Sequence, residues 1–304
     1  MNRMGICNYL NMRLWDEEWY VAIRPHAVSG ILDLTREFHV LNNTWRYWCA
    51  DPFVIDWEGK TYVFMEAFDR ITQKGSIAYR VIESGKVGPI QICIDNPYHM
   101  SYPMLYTFEN EIFMIPESHK NGQLTIYRAL RFPDMWEPVD TILRDRMVCD
   151  TNYLRKDGKE YLLTMPIKGE RFVYDTLELY YRESDRRWTL CANSPFVLGT
   201  DRARNGGNFY NAEGMLLRPS QNCGNSYGEK LVLNRVREIS DINYVEEIIR
   251  EIAAGDIQVD CGKYDGIHTF NCSDTYDVID LRRKHTFQGA KLIHLILHKL
   301  GIRQ

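Results

Sequence analysis

The sequence predicts an all-β fold, a five-bladed β-propeller. Three observations predict it: one short phrase that returns four times, strand periodicity through most of the chain, and strand-forming segments at both ends. The phrase begins at Asp51 in DPFVIDWEGKTYVFMEAF, at Tyr102 in YPMLYTFENEIFMIPES, at Asp150 in DTNYLRKDGKEYLLTM and at Gly206 in GNFYNAEGMLLRPSQ. A turn residue falls eight positions on in each copy: Gly59, Asn110, Gly158 and Gly214. Seven positions later stand Glu66, Glu117, Met165 and Gln221. A repeat of roughly 50 residues built on a hairpin is the signature of propeller blades. The architecture brings equivalent positions of all blades to one axis, so acids far apart in sequence are expected to share a pocket.

Each copy runs on into a third strand with period-2 character: GSIAYRVIESG (75–85), GQLTIYRAL (122–130), LELYYRES (177–184) and KLVLNRVREI (230–239). PIQICID (89–95) and MWEPVDTILR (135–144) supply outer strands. The fifth blade is assembled from both ends. GIHTFNCSDTYDVID (266–280) reads as a hairpin turning at Ser273–Asp274, and WYVAIRP (19–25) adds a strand beside it. Closure of this kind leaves no exposed sheet edge. NYVEEIIREIAAG (243–255) is expected to be helical. The propeller is assigned residues 1–282 and a basic amphipathic C-terminal helix residues 283–304.

The stretch 282–304 carries Arg282, Arg283, Lys284, Lys291, Lys299 and Arg303 and no acid, so its charge is +6. Leu292, Ile293, Leu295, Ile296 and Leu300 give it an apolar face at helical spacing. Two readings stand: a helix packed on the propeller's side, or one that lies on an anionic membrane through residues 284–304.

A hydrophobic fraction of 45% over 304 residues allows a large core, and a net charge of −4 argues against nucleic acid as a partner. The eight cysteines are scattered with no CxxC pair, so no zinc site and no disulfide framework is expected. The N-terminal segment has no apolar run suited to a signal peptide, and no stretch reaches the roughly 20 apolar residues of a membrane span. These features point to the cytoplasm, with peripheral attachment at the inner membrane if the tail binds lipid. GxGxxG ahead of a helix, GxxxxGK[ST], GxSxG and HExxH are all absent, so no nucleotide cofactor and no metal is expected.

The candidate chemistry lies in the repeated acids. Asp51 and Asp150 open inner strands at matching positions of blades one and three. Either alone is able to cap its own loop, but two in register point to a shared site. Glu66 and Glu117 close the second strands of blades one and two. Glycosidic chemistry needs one protonated and one ionised carboxyl beside the bond, and four acids at one axis offer that pair. Ion pairing with Arg204, Arg218 or Lys74 is the structural alternative for the two glutamates. Arg204, Arg218, Gln221 and His268 supply donors for sugar hydroxyls or anions, and His99, Tyr102 and Trp48 are expected at the same mouth.

Taken together, ADPFVIDWEGKTYVFMEAF, KGSI, YHMSYPMLY, IFMIPES, IYRALRFPDMW, CDTNYL, LLRPSQNCGNSYGEKLVL and GIHTFN occur in an order that resembles a known family. It is the glycosidase-like propeller domain named for the N-terminal half of plant glucosamine inositolphosphorylceramide transferase. The resemblance covers about residues 19–282. That domain is similar in turn to five-bladed arabinanase- and xylosidase-type hydrolases. It implies Asp51 as the base and Asp150 as the acid that tunes and orients it. Blade four reads NSPFVLGTDRARNGG, with no glutamate for the proton donor and ARNGG where relatives have ARPAG, so Glu117 takes the donor's place on position alone. The plant protein's transferase activity belongs to a separate domain and is not carried over.

The leading expectation is a carbohydrate-active enzyme, glycosidase-like or sugar-transferring, acting on a bacterial surface glycan or glycolipid intermediate. Asp51, Glu117 and Asp150 would be its catalytic acids. The competing expectation is a non-catalytic glycan-binding or scaffolding module in polysaccharide biosynthesis.

Overall fold

The structure is a computed structural model that describes residues 15–168, 171–172, 174–182 and 187–301. They form five antiparallel sheets arranged as propeller blades, plus one short helix. Blade one is Tyr47–Trp57, Lys60–Asp69 and Lys74–Glu83, edged by Lys86–Val87 and Gln91–Ile94. Blade two is Ser101–Phe108, Glu111–Glu117, Gln123–Arg131 and Met135–Arg144. Blade three runs Val148–Lys156, Lys159–Lys168, Thr176–Arg182 and Trp188–Leu190. Blade four begins with the short Arg204–Asn205 and Tyr210–Ala212 and continues through Met215–Asn222, Lys230–Ile239 and Tyr244–Ala253.

Blade five takes strands from both ends of the chain, in the order Phe270–Cys272, Tyr276–Phe287, Trp15–Pro25, His39–Val40. Trp15–Pro25 pairs with Tyr276–Phe287 in a register that runs from Trp15↔Phe287 to Pro25↔Tyr276. The ring is therefore closed by backbone hydrogen bonds between its two ends. Tyr276–Phe287 passes position 282, so the last propeller strand is longer than the sequence indicates.

The repeated turns are built alike. Glu58–Gly59, Glu109–Asn110, Asp157–Gly158 and Glu213–Gly214 all have positive φ at both central residues. That geometry matches the right-handed twist of the flanking strands and makes tight two-residue hairpins. The openings of blades one, two and three are equally regular. Asp51, Tyr102 and Asp150 also have positive φ, at 50°, 44° and 46°. Each sits at a break in register, between Ala50 and Phe53, Ser101 and Met104, and Cys149 and Asn152. A bulge re-aims the side chain it carries, and here three blades use the same one.

One expectation fails. Residues 243–255 are not a helix: Tyr244–Ala253 is the outer strand of blade four, paired with Lys230–Ile239 from Tyr244↔Ile239 to Ala253↔Lys230. A tight turn over 240–243 forces the chain back beside its predecessor, with Ser240 N–H bonded to Asn243 O at 2.9 Å. The β-branched Val245, Ile248, Ile249 and Ile252 suit a strand.

Blades one, two and three share a core around Phe53, Phe64, Ile77, Met104, Ile115 and Leu162. Ala22, Ile31, Leu231, Leu233, Phe270 and Ile279 pack blades four and five. Near the axis the packing becomes backbone against backbone. Gly207 N–H donates to Tyr102 Oη at 2.7 Å, and Gly207 O accepts from Asn152 Nδ2 at 2.7 Å. Its φ is 136°, and a Cβ there would stand 1.9 Å from Phe270 O. Gly207→Ala is therefore expected to cost roughly 3 kcal/mol, read as a drop in the denaturation midpoint at unchanged slope.

Candidate active site

All five blades wall one cavity of about 380 Å³ at the axis. Of the residues expected there, Asp51, Glu66, Glu117, Trp48, His99, Arg204 and His268 line it. Trp19, His119, Phe172, Tyr174 and Tyr227 join them. Asp150, Tyr102, Arg218 and Gln221 do not line it; they form the buried layer behind.

Asp51 is placed by its bulge and held from three sides. Its Oδ2 accepts the Tyr102 N–H at 3.2 Å, its Oδ1 accepts the Thr269 hydroxyl at 3.2 Å, and His268 Nε2 lies 3.5 Å from Oδ1. Its own N–H donates to Asp280 Oδ2 at 2.9 Å. Burial, reinforced by Asp280 and Glu117 and opposed by His268 and Arg204, pushes its pKa up to about 6. Asp280 is the hub of this wall: its Oδ1 also takes the N–H groups of His268 and Thr269 and His268 Nδ1 at 2.7 Å. His268 is clamped by stacking on Trp19, ring centres 3.8 Å apart.

Glu66 faces the cavity from the second strand of blade one. Burial first, then the neighbouring Asp51, Glu117, Asp150 and Asp280, hold its pKa well above the usual carboxylate range. Its Oε1 is buried with no hydrogen-bond partner at normal distance; His99 Nε2 stands 3.4 Å away. The Gly75 N–H donates to His99 Nδ1 at 3.0 Å, which leaves the ring proton on Nε2, facing Glu66. Burial lowers the His99 pKa to about 4, so the ring is neutral at physiological pH. Gly75 is required here: a Cβ would meet Glu66 Oε1 at 2.4 Å and His99 Cε1 at 2.8 Å.

Glu117 behaves in the opposite way. Burial raises its pKa, but the 2.6 Å bond to His119 Nδ1, together with the charge of Arg204 and a side-chain hydrogen bond with Asp150, overcomes that and lowers it to about 2. Three carboxyls around one cavity thus differ in acidity: burial and acidic neighbours hold Glu66 well above the usual carboxylate range, Asp51 rises to about 6, and Glu117 falls to about 2.

The layer behind fixes this wall. Asp150 is ion-paired with Arg204 Nε and accepts from Gln221 Nε2 at 3.1 Å. Burial works against the charge of Arg204, but Asp150 holds its pKa well above the ordinary value. Gln221 is fully buried and also donates to Asn205 O at 2.7 Å. Arg218, fully buried, meets Glu246 at 2.8 and 2.6 Å, Tyr244 Oη at 3.1 Å and Asn205 Oδ1 at 2.8 Å. Tyr102 donates its hydroxyl to Asn152 Oδ1 at 2.7 Å. These four are therefore structural neighbours of the site, placed to hold others. Of the ion-pair partners named above for Glu66 and Glu117, Arg218 pairs with Glu246 and Lys74 with Asp95, while Arg204 pairs with Asp150 and its charge acts on Glu117 from there; histidines take the nearest positions.

Aromatic rings supply the apolar wall. Trp48 stacks on Phe68 at 4.5 Å, and the Arg204 guanidinium lies 4.6 Å from the Tyr227 ring centre. Among the described residues, ligand-type atoms of Asp51, His268 and Asp280 lie within 4.8 Å of one another, as do those of Glu117, Cys149 and Asp150. N–H donors already converge on Asp280, and Arg204 and Gln221 on Asp150, an arrangement that suits carboxylates better than a cation.

Asp280 escaped the sequence reading, although the repeat held its signal. Counting seven on from the turn gives Glu66, Glu117, Met165 and Gln221, and the same count from Ser273 gives Asp280. His119, Trp19 and Tyr227 lie off the repeated positions and carry no such signal.

Comparison with known proteins agrees with the fold. Residues 40–271 match the family described as glucosamine inositolphosphorylceramide transferase 1, N-terminal. The transferases of that name from Arabidopsis thaliana and Oryza sativa subsp. japonica are 32% and 31% identical over 203 and 204 residues. Those segments are 65% of this chain but only 26% and 27% of the relatives, so the chain spans about a quarter of their length. Among solved structures, the catalytic domain of the Coprinopsis cinerea GH62 α-L-arabinofuranosidase has a TM-score of 0.57 at 11% identity, covering 90% of this chain and 98% of that one. A family 117 glycoside hydrolase from Zobellia galactanivorans has a TM-score of 0.51 at 13% identity, covering 86% and 90%. At these identities the likeness is one of fold. By the match over residues 40–271, the chain belongs to the glucosamine inositolphosphorylceramide transferase 1 N-terminal family.

Proposed function

We propose that the axial cavity is a carbohydrate-processing site that cleaves or transfers a sugar of a glycan or glycolipid. One observation carries the reading: Asp51 and Glu66 face the same aromatic-walled cavity, one with its pKa raised to about 6 and one held well above the usual carboxylate range. Asp51 takes the proton of the attacking water or acceptor hydroxyl. Glu66 gives its proton to the departing glycosidic oxygen. Proton transfer of this kind needs groups whose environments push their pKa values apart. Glu117, placed as donor on position, is held ionised by His119 and Arg204, so its charge opposes the positive charge that grows on the sugar ring. Asp150 fixes Arg204, and Trp48 and Tyr227 offer flat faces to the sugar. The relatives' name supports a glycolipid as the substrate class.

The test is a calorimetric and turnover screen of sugars, nucleotide sugars and glycolipid headgroups on wild type and Glu66→Gln. Product from wild type alone supports the reading. A panel that neither binds nor reacts would sink it. The pH profile is a second check. Turnover is expected to rise with pH through about 6, as Asp51 loses its proton, and to fall at higher pH as Glu66 loses its own. In Glu66→Gln the alkaline limb disappears, and substrates with a good leaving group lose least.

A further inference from the structure

The helix Lys291–Lys299 is mounted with its polar side inward. Lys291 is ion-paired with Asp16, and His294 Nδ1–H donates to Ile71 O at 2.9 Å. None of its residues is buried. Leu292, Ile293, Ile296 and Leu300 fall on one stripe by helical spacing and are exposed, Leu300 at 67%. Among helices that complete a core, the apolar stripe faces the protein; here it faces out.

A second exposed group stands on the same side. Trp45 is 67% exposed. Its loop is bonded to the segment that receives His294: Arg70 Nη1 donates to Thr44 O at 2.6 Å, and Arg70 N–H to Arg46 O at 2.9 Å. Lys299 is exposed at the end of the helix and Lys284 is exposed in the strand that leads to it, and residues 282 to 304 include no acid. Asp16, the partner of Lys291, and Gln288, just ahead of the helix, both line the axial cavity, so the helix stands beside it.

We propose that this face docks on an anionic phospholipid bilayer. Trp45, Leu292, Ile293, Ile296 and Leu300 enter the headgroup boundary, Lys284 and Lys299 meet lipid phosphates, and the cavity opens toward the same surface. An apolar stripe flanked by cations, with a tryptophan beside it, has the chemistry of an interfacial anchor. A second copy is a poorer occupant, because the stripe would bring the same cations face to face. Among the described residues no helix is long and apolar enough to cross a membrane. The inference goes beyond the sugar chemistry and does not depend on it, since the vesicles in its test carry no glycan.

The test is flotation of the whole chain with vesicles of phosphatidylcholine alone or mixed with phosphatidylglycerol. Wild type is expected to float with the mixed vesicles, less so in high salt. Ile296→Ser combined with Leu300→Ser is expected to weaken this roughly tenfold or more. Its circular dichroism and melting are expected to be unchanged, because both side chains are exposed. Lys284→Glu with Lys299→Glu is expected to remove the preference for phosphatidylglycerol. Wild type that floats with neither vesicle overturns the proposal, as does a serine variant that floats equally well. A wild-type dimer that the serine variant converts to a monomer, with no vesicle binding, assigns the face to a second copy and overturns it too.

Discussion

Asp51→Asn is expected to lower turnover about a thousandfold while leaving sugar affinity within a few-fold. The asparagine keeps nearly every contact. Its oxygen accepts the Tyr102 N–H that Asp51 Oδ2 now accepts at 3.2 Å, and its NH₂ meets the Thr269 hydroxyl, which turns to accept. What vanishes is the ability to take a proton. The rise of activity through about pH 6 goes with it, because that limb is the ionisation of this carboxyl. Thermal stability is expected to hold, since a buried charge near Asp280 and Glu117 is removed and no cavity is made. The pairing of calorimetry with turnover separates the outcomes. Unchanged turnover in the variant would remove Asp51 from the chemistry. Equal binding with no product from either protein would return the domain to the recognition-module reading.

Arg218→Ala is expected to destabilise the protein by about 4 kcal/mol, the largest single-site loss anticipated in this chain. Arg218 and Glu246 both have fully buried side chains, and the alanine would leave Glu246 with Tyr244 Oη at 2.5 Å and only the distant Arg202 Nε, at 3.9 Å, to balance its charge. The damage spreads to the cavity. Arg218 Nη1 holds Asn205 Oδ1, and Asn205 Nδ2 in turn donates to Asp150 O at 2.6 Å and Leu163 O at 2.8 Å. Chemical denaturation gives the loss directly. Arg218→Met with Glu246→Leu is expected to recover more than half of it, because no lone buried charge remains. Equal losses in the single and double variants would show that packing, and not charge, is the origin.

The sequence carried the architecture because a propeller is periodic. Asp51, Tyr102 and Asp150 open their blades through one kind of bulge, and Gly59, Asn110, Gly158 and Gly214 turn them in one way, so each copy reinforces the others. Residues 243–255 were misread because a half-exposed outer strand rich in Glu and Ile has no clean alternation; its pairing with Lys230–Ile239 decides its shape. At the site, repeat counting found Asp51, Glu66 and Glu117. It did not distinguish a side chain that reaches the cavity from one a layer below, such as Arg218 or Gln221. That depends on a few ångströms of depth along the axis, set by partners such as Glu246 and Asn205 on other strands. Protonation was less legible still. Glu66 and Glu117 occupy equivalent positions and differ because His99 is neutral and 3.4 Å away from one, while His119 bonds the other at 2.6 Å.

The pairing of Trp15–Pro25 with Tyr276–Phe287 has a consequence for the chemistry. Asp51 stands in the first blade, and Asp280, His268 and Trp19 stand in the blade sewn from the two ends. The seam and the base therefore share their atoms: parting those strands would let water reach Asp51, scatter its partners and return its acidity to that of an ordinary aspartate. A sugar seated across the first and last blades would act as a clasp on the ring, opposing its opening by an amount that grows with the logarithm of sugar concentration over Kd. Proteolysis at the seam, slowed in proportion to bound sugar, would make occupancy of the cavity visible without any turnover.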